Sequence, residues 1–274
     1  MTQRKLGINA MTVVKVPPTE HLGIIKNAGW DAFFNYWDGK TEVWANEAAR
    51  LGLTYTSIHA PSSREHFIWN GSAEAEHELK MLHKCLADCA RFDIPVMVLH
   101  TINGFDKKMP QAPTQTGLDS YARLVDEANK LGVTLAFENT EREEFLHAVM
   151  DAFEDAPCLG FCYDSGHEHC YKNSDMLAHY GKKLCHTHLD DNFGSTGDVI
   201  TWWDDSHLPP LDGTVNFARV MQALAPFEGV LSFEMTMKNK PERHTHDRYQ
   251  TMPAPEYYAL VLERAKRLRD GNFQ

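Results

Sequence analysis

Acids and histidines recur where apolar runs of this chain end: His59, His100, Glu138, Asp164 with His167, His186 with His188, and Glu234. Asp205 and His207 follow in the stretch after the seventh run. These residue types bind divalent cations and move protons. Taken singly, each has an ordinary structural explanation. A histidine at a strand end is commonly hydrogen-bonded into the structure, and a buried glutamate is commonly paired with a base. The set is more specific than its members. The segments carrying Glu138, Asp164 and Glu234 (Thr134–Thr140, Leu159–Ser165 and Val230–Met235) contain no Lys or Arg. Three converging carboxylates without a base are costly to bury, and a bound cation is the simplest compensation.

The elements that must position these groups follow one rhythm. Strands are predicted at Leu6–Ala10, Trp30–Tyr36, Leu53–Ala60, Val96–Thr101, Thr134–Thr140, Leu159–Ser165, Leu184–Asp190 and Val230–Met235. Helical periodicity fills the intervals, most clearly at Ser72–Phe92, Thr116–Leu131, Glu143–Phe153 and Phe217–Phe227, and Ala254–Asp270 closes the chain. Strands alternating with helices imply a parallel sheet. Gly29, Gly52 and Gly132 stand where left-handed helix caps are expected. Strand parity decides between an open sheet and a barrel. Thr134, Ala136 and Glu138 share one face against Leu135 and Phe137; Ser232 and Glu234 oppose Leu231 and Phe233; Gly160, Cys162 and Asp164 oppose Phe161 and Tyr163. Bulky groups on one face and small or ionisable ones on the other suit a barrel with a crowded lumen and its acids at the C-terminal mouth. The expectation is α/β: one (β/α)8 TIM barrel domain spanning residues 1–274. On the same parity His186 lies one layer below His188 and is read as a core histidine or as one that supports the ligands from below.

The chain has 274 residues, 43% of them hydrophobic, and a net charge of −11. That length suits one barrel. No run approaches a membrane span, and a soluble, cytoplasmic protein with reduced thiols is expected. The acidic balance disfavours nucleic acid as a partner.

The segments Ile58-His59-Ala60-Pro61, Val98-Leu99-His100, Ala136-Phe137-Glu138-Asn139, Asp164-Ser165-Gly166-His167, His186-Thr187-His188-Leu189-Asp190 and Phe233-Glu234 resemble, in order and position, those of the xylose-isomerase-like barrel superfamily. The resemblance covers nearly the whole chain. It implies a metal-dependent isomerase or epimerase of a ketose or sugar phosphate. Carried over from the ketose 3-epimerases, the ligands of one divalent ion (Mn2+, Mg2+, Co2+ or Zn2+) would be Glu138, Asp164, His188 and Glu234. Glu138 and Glu234 would pass a proton between substrate faces or carbons through an enediolate. His59, His100, His167, Asp205 and His207 would line the substrate. The partner is then a small sugar or sugar phosphate, with a homo-oligomer compatible.

The same superfamily holds other chemistries. Its three-zinc apurinic/apyrimidinic endonucleases use nine ligands, and His59, His100, Glu138, Asp164, His167, His188, Asp205, His207 and Glu234 offer a counterpart to each. Where those enzymes carry a Tyr-led apolar turn, this chain has Ser62-Ser63-Arg64-Glu65. The same scaffold would also suit a sugar or inositol-type dehydratase, or a non-catalytic sugar or metal binder. The chain also departs from the epimerases. Asp190-Asp191-Asn192-Phe193-Gly194 lacks the arginine that follows their metal histidine, and strand two ends Phe33-Phe34-Asn35-Tyr36-Trp37, where many relatives place a glutamate. Trp202 and Trp203 are read either as sugar-stacking or as packing aromatics. The basic stretch Thr236–Pro253 is read as a cover, a phosphate site or a solvated loop.

Overall fold

Each predicted run becomes a strand in the computed structural model, which describes residues 3–273. The strands are β1 Leu6–Asn9, β2 Ala32–Tyr36, β3 Thr54–His59, β4 Val96–Leu99, β5 Thr134–Glu138, β6 Leu159–Asp164, β7 Leu184–His188 and β8 Leu231–Phe233. Every ladder is parallel, in the order β7-β6-β5-β4-β3-β2-β1-β8. β7 and β8 close the ring by another device. The Thr187 hydroxyl accepts the Ser232 N–H at 2.9 Å and donates to the Ser232 carbonyl at 3.2 Å. The Leu189 N–H reaches the same carbonyl at 2.9 Å. The chain is therefore a nearly closed (β/α)8 barrel.

The surrounding helices are α1 Pro18–Ala28, α2 Thr41–Leu51, α3 Ala73–Arg91, α4 Gln115–Leu131, α5 Glu143–Ala152, α6 Ser165–Tyr171, α7 Met176–Tyr180, α8 Phe217–Ala223 and α9 Ala254–Arg269. Gly29, Gly52 and Gly132 adopt the left-handed cap expected of them. Each expected strand proves shorter by one to three residues, as do most of the expected helices, and two of the differences bear on the site and its surroundings. The eighth strand stops at Phe233, leaving Glu234 one residue beyond it, and the helix expected to Phe227 ends at Ala223, with turns continuing to Phe227.

Strand parity sorts the core as the alternation required. Leu135, Phe137, Phe161, Tyr163, Leu231 and Phe233 join the large apolar layer under the helices. Val96, Val98, Ala136 and Cys162, with Cys185 against them, form a separate small cluster inside the ring. The lumen is tight: a Cβ on Gly160 would stand 2.5 Å from the Cys185 sulfur and 2.6 Å from Thr134 Cγ2. A crowded floor leaves the strand ends as the place where polar groups can gather.

Candidate metal centre and active site

Glu138 ends β5, Asp164 ends β6, His188 ends β7, and Glu234 follows β8. All four are buried, and one ligand atom from each lies within 4.8 Å of the others. His188 Nδ1 is 3.0 Å from Glu138 Oε1 and 2.7 Å from Glu234 Oε2. Phe34 stacks on the His188 ring from within the lumen, centroids 4.7 Å apart. Asn139 fixes the end of β6, its side chain receiving the Asp164 N–H and donating to the Asp164 carbonyl, both at 2.8 Å. His186 sits below, buried, against Ser57 Oγ at 3.1 Å and the edge of Phe34.

The histidines expected to line the substrate surround this group. His59 Nε2 and His100 Nε2 each stand 3.3 Å from Glu138 Oε2. His59 places Nδ1 2.7 Å from the Ala60 carbonyl, and His167 places Nδ1 2.9 Å from that of Asn139. Those carbonyls accept only, so each ring carries a proton on Nδ1, and a neutral ring has its lone pair on Nε2. His59 thus aims its lone pair at one carboxylate. Facing acceptors repel unless a proton or a cation lies between them. Against the cost of burial, Asp164 and Asp205 hold His167 well above the ordinary imidazole range, so its Nε2, 3.5 Å from Asp205, carries a proton toward that acid.

Asp205 and His207 come from the segment after β7. Asp191 builds that segment by accepting the N–H groups of Leu211, Gly213 and Val215, and an isolated antiparallel bridge joins Asp191 to Leu208. His207 Nε2 is 3.0 Å from Asp205 Oδ2, and Lys240 Nζ is 3.7 Å from the same oxygen. The basic stretch is therefore tied down: Lys240 faces Asp205, Arg243 holds Asp204 at 2.7 Å, and Arg248 pairs with Asp212.

Electrostatics divides the acids. Burial opposes ionisation of Glu138, yet His188 and His100 hold its carboxyl well below the ordinary range. Burial, with Asp190 alongside, pushes Asp164 well above its ordinary value. Burial raises Glu234 to about 8 against the pull of Lys240. Against the cost of burial, Asp205 and Asp190 raise His207 to about 10. Glu138 Oε2, Asp164 Oδ2, Glu234 Oε2 and His188 Nε2 are buried without a hydrogen-bond partner. Buried polar atoms are normally satisfied, and hard oxygens with one imidazole match the donor preference of a divalent ion. The residues fit such an ion.

Two site residues lay outside the sequence reading of the chemistry. The Tyr36 hydroxyl, at the end of β2, donates to Glu234 Oε1. Asp190, fully buried, lies 3.5 Å from His207 Nδ1 and forms a further ligand-like group with Asp164 and His207. Gly166 makes room for it: a Cβ there would collide with Asp190 Oδ1. A cavity of about 550 Å³ opens above these groups, with Tyr36, His100, Glu141, Trp202, Glu234 and Lys240 in its wall.

The family model for the xylose isomerase-like TIM barrel matches residues 4–258. The chain belongs to that family. An uncharacterised protein of Sinorhizobium fredii is 25% identical over 266 residues, 85% of this chain and 79% of the relative. Among solved structures, a xylose isomerase-like TIM barrel/4-hydroxyphenylpyruvate dioxygenase fusion protein superposes with TM-score 0.77 at 18% identity, over 99% of this chain and 43% of that one. This barrel therefore spans less than half of the fusion protein. A D-tagatose 3-epimerase-like protein gives 0.70 at 18% identity, covering 97% and 98% of the two chains. The IOLI protein with a bound zinc atom gives 0.75 at 16%, covering 98% and 99%. At these identities the likeness to solved structures establishes the xylose isomerase-like barrel fold.

Proposed function

We propose that this protein is a divalent-metal-dependent isomerase or epimerase of a ketose or sugar phosphate. The observation that carries the reading is the convergence of Glu138, Asp164, His188 and Glu234 within 4.8 Å, with buried donor atoms lacking partners. These four residues would hold the ion. When bound, it would polarise a substrate carbonyl and make the adjacent C–H more acidic. The chain's own groups then do the proton work. One of Glu138 and Glu234 removes the proton from carbon, leaving an enediolate, and a proton returns to the opposite face or to the neighbouring carbon. Tyr36 would orient Glu234, and His59, His100 and His167 would bind substrate oxygens. Similarity to a D-tagatose 3-epimerase-like protein and to a zinc-bearing barrel supports the same class.

The three-zinc nuclease is the second reading, favoured by the further groups His59–His100–Glu138 and His167–Asp205–His207. Lys240 argues against it. Its ammonium faces Asp205 at 3.7 Å and already supplies a positive charge to the second of these groups. The test is to load the protein with Mn2+ or Co2+, count bound ions, and offer a panel of ketoses and ketose phosphates in D2O. Incorporation of deuterium at carbon with one ion bound is the expected result. Three ions, no exchange and nicking of abasic-site DNA would replace this reading with the nuclease.

A further inference from the structure

The cavity is larger than one sugar ring fills, and its wall changes character from floor to mouth. Glu234, His59, His167 and Asp205 at the floor are buried. Nearer the mouth the wall turns aromatic. An aromatic series climbs one side from His167 to Tyr171, rings stacked at 5.2 Å, and on to half-buried Phe105 at 5.6 Å. Trp202 also lines the cavity and remains 42% exposed.

Trp202 is an unusual surface residue because its loop is pinched shut. The Asp204 carboxylate receives the N–H and hydroxyl of Thr196, each at 3.2 Å, and Arg243 Nε at 2.7 Å. Lys240 Nζ stands 5.3 Å from the Trp202 ring centroid, and Trp203 crosses it almost at right angles. An indole in a loop held this firmly, yet left 42% exposed, keeps a broad face for something outside the chain, at little ordering cost. Charge narrows what that is. Lys240 is the only Lys or Arg among the described residues lining the cavity, and Asp205 already faces it. The imidazoles of the wall are likewise turned to carboxylates, His59 and His100 to Glu138 and His167 and His207 to Asp205. An anionic substituent would find no unpaired positive group there.

We propose that the outer half of the cavity, lined by Trp202, Tyr171 and Phe105, is a subsite for a neutral ring carried by the sugar, so that the preferred substrate is a keto sugar bearing that ring in glycosidic linkage, its reacting ketone on another carbon, over the bare or phosphorylated sugar. This rests on reading the floor as the sugar-binding centre. The subsite adds apolar contact and ring stacking beyond the reacting carbons, and Trp202 contributes most of it.

The experiment needs binding only, so it stands apart from any failure to find turnover. Phenyl β-glucoside, methyl β-glucoside and glucose 6-phosphate are titrated calorimetrically into the Mn2+-loaded protein and its Trp202→Ala variant. The phenyl glucoside is expected to bind about tenfold more tightly than the methyl glucoside, and the preference should vanish in Trp202→Ala. Trp202→Phe should keep part of it, which separates ring contact from loop damage. Equal affinities, a preference that survives Trp202→Ala, tightest binding of the phosphate, or no detectable glycoside binding would each overturn the proposal. Absence of proton exchange with every ketose, alongside an intact phenyl preference, would instead refute the isomerase reading and leave the subsite standing.

Discussion

Glu234 has two close neighbours: Tyr36 donates to Oε1, and His188 Nδ1 stands 2.7 Å from Oε2. Gln at this position is nearly isosteric and keeps an oxygen for an ion, but it cannot take up a proton at neutral pH. Glu234→Gln is therefore expected to lower turnover by at least ~10²–10⁴-fold, the usual worth of general acid–base catalysis. Metal content and thermal unfolding should stay near those of the parent. Near-normal turnover in the loaded variant would restrict Glu234 to holding the ion. Tyr36→Phe removes only the hydroxyl. Beside a bound ion the Glu234 carboxylate is charged, and a hydrogen bond to a charged group is worth roughly 1.5–3 kcal/mol, so kcat should fall by about tenfold or more while KM and thermal stability hold. A parallel rise in KM with unchanged kcat would mean that Tyr36 binds substrate instead of orienting Glu234. The acids and histidines of this site were legible because their strands alternate faces and carry no bases. Asp190 obeys the same alternation two residues past His188, and extending the parity beyond the strand would have found it. Tyr36 offered no such signal, since an aromatic at a strand end reads as packing.

At the scale of elements, tight contacts reverse ordinary rules. Ala within a helix is normally better than Gly by about 1 kcal/mol. A Cβ on Gly117 in α4, however, would run into the ring of Trp69. That ring is fully buried, bonded through Nε1 to the Thr101 carbonyl at 2.7 Å and packed edge-on to Phe145. Overpacking of this kind costs about 1–3 kcal/mol. Gly117→Ala should thus destabilise on balance, seen as a lower denaturant midpoint; a raised midpoint would show that Trp69 can yield. The α1–α9 contact carries a pH dependence. Burial lowers His21 of α1 to about 4, and its Nε2 sits 2.7 Å from the Tyr258 hydroxyl of α9. The unfolded imidazole titrates near ~6.5, so between there and about 4 the unfolded chain binds the extra proton. Stability is then lost as pH falls through that window, by roughly 2–3 kcal/mol. His21→Phe should flatten this slope in denaturant titrations at pH 7 and pH 4.5, and an unchanged slope would assign it to other buried histidines. Long helices were readable from periodicity, as at α3 and α4. The β6–β7 crossover was not. It breaks into α6, α7 and a 3-10 turn at Gly181–Lys183, each too short to show a period, and α6 starts because the Asp164 carboxylate caps the His167 N–H at 2.6 Å.

For the whole molecule, the rhythm of runs and the sorting of their faces sufficed to identify a barrel. How the ring closes was hidden, because backbone pairing is common to all sequences and only the folded register shows which hydroxyl meets which strand. Much of the seam rests on Thr187, whose side chain bonds both backbone groups of Ser232. Thr187→Val keeps the shape and strips both bonds, leaving a buried N–H unpaired at a cost of about 1–3 kcal/mol. A fall in Tm of several degrees is expected, at ~2–4 °C per kcal/mol for a chain of this size. An unmoved Tm would mean that the Leu189 bond alone secures the ring.

That seam also decides where the barrel breathes. Glu138, Asp164 and His188 stand on one bank and Glu234 on the other, so an ion shared among them would rivet the two edges that no ladder joins. Opening there would tear the site apart before it disturbed any other wall, tying loss of the ion to loss of closure. Amide hydrogen exchange offers the reading: chelation should speed exchange at Leu189 and Ser232 while leaving the β3–β4 ladder as slow as before. The reacting centre would then be the fastener of the fold that holds it.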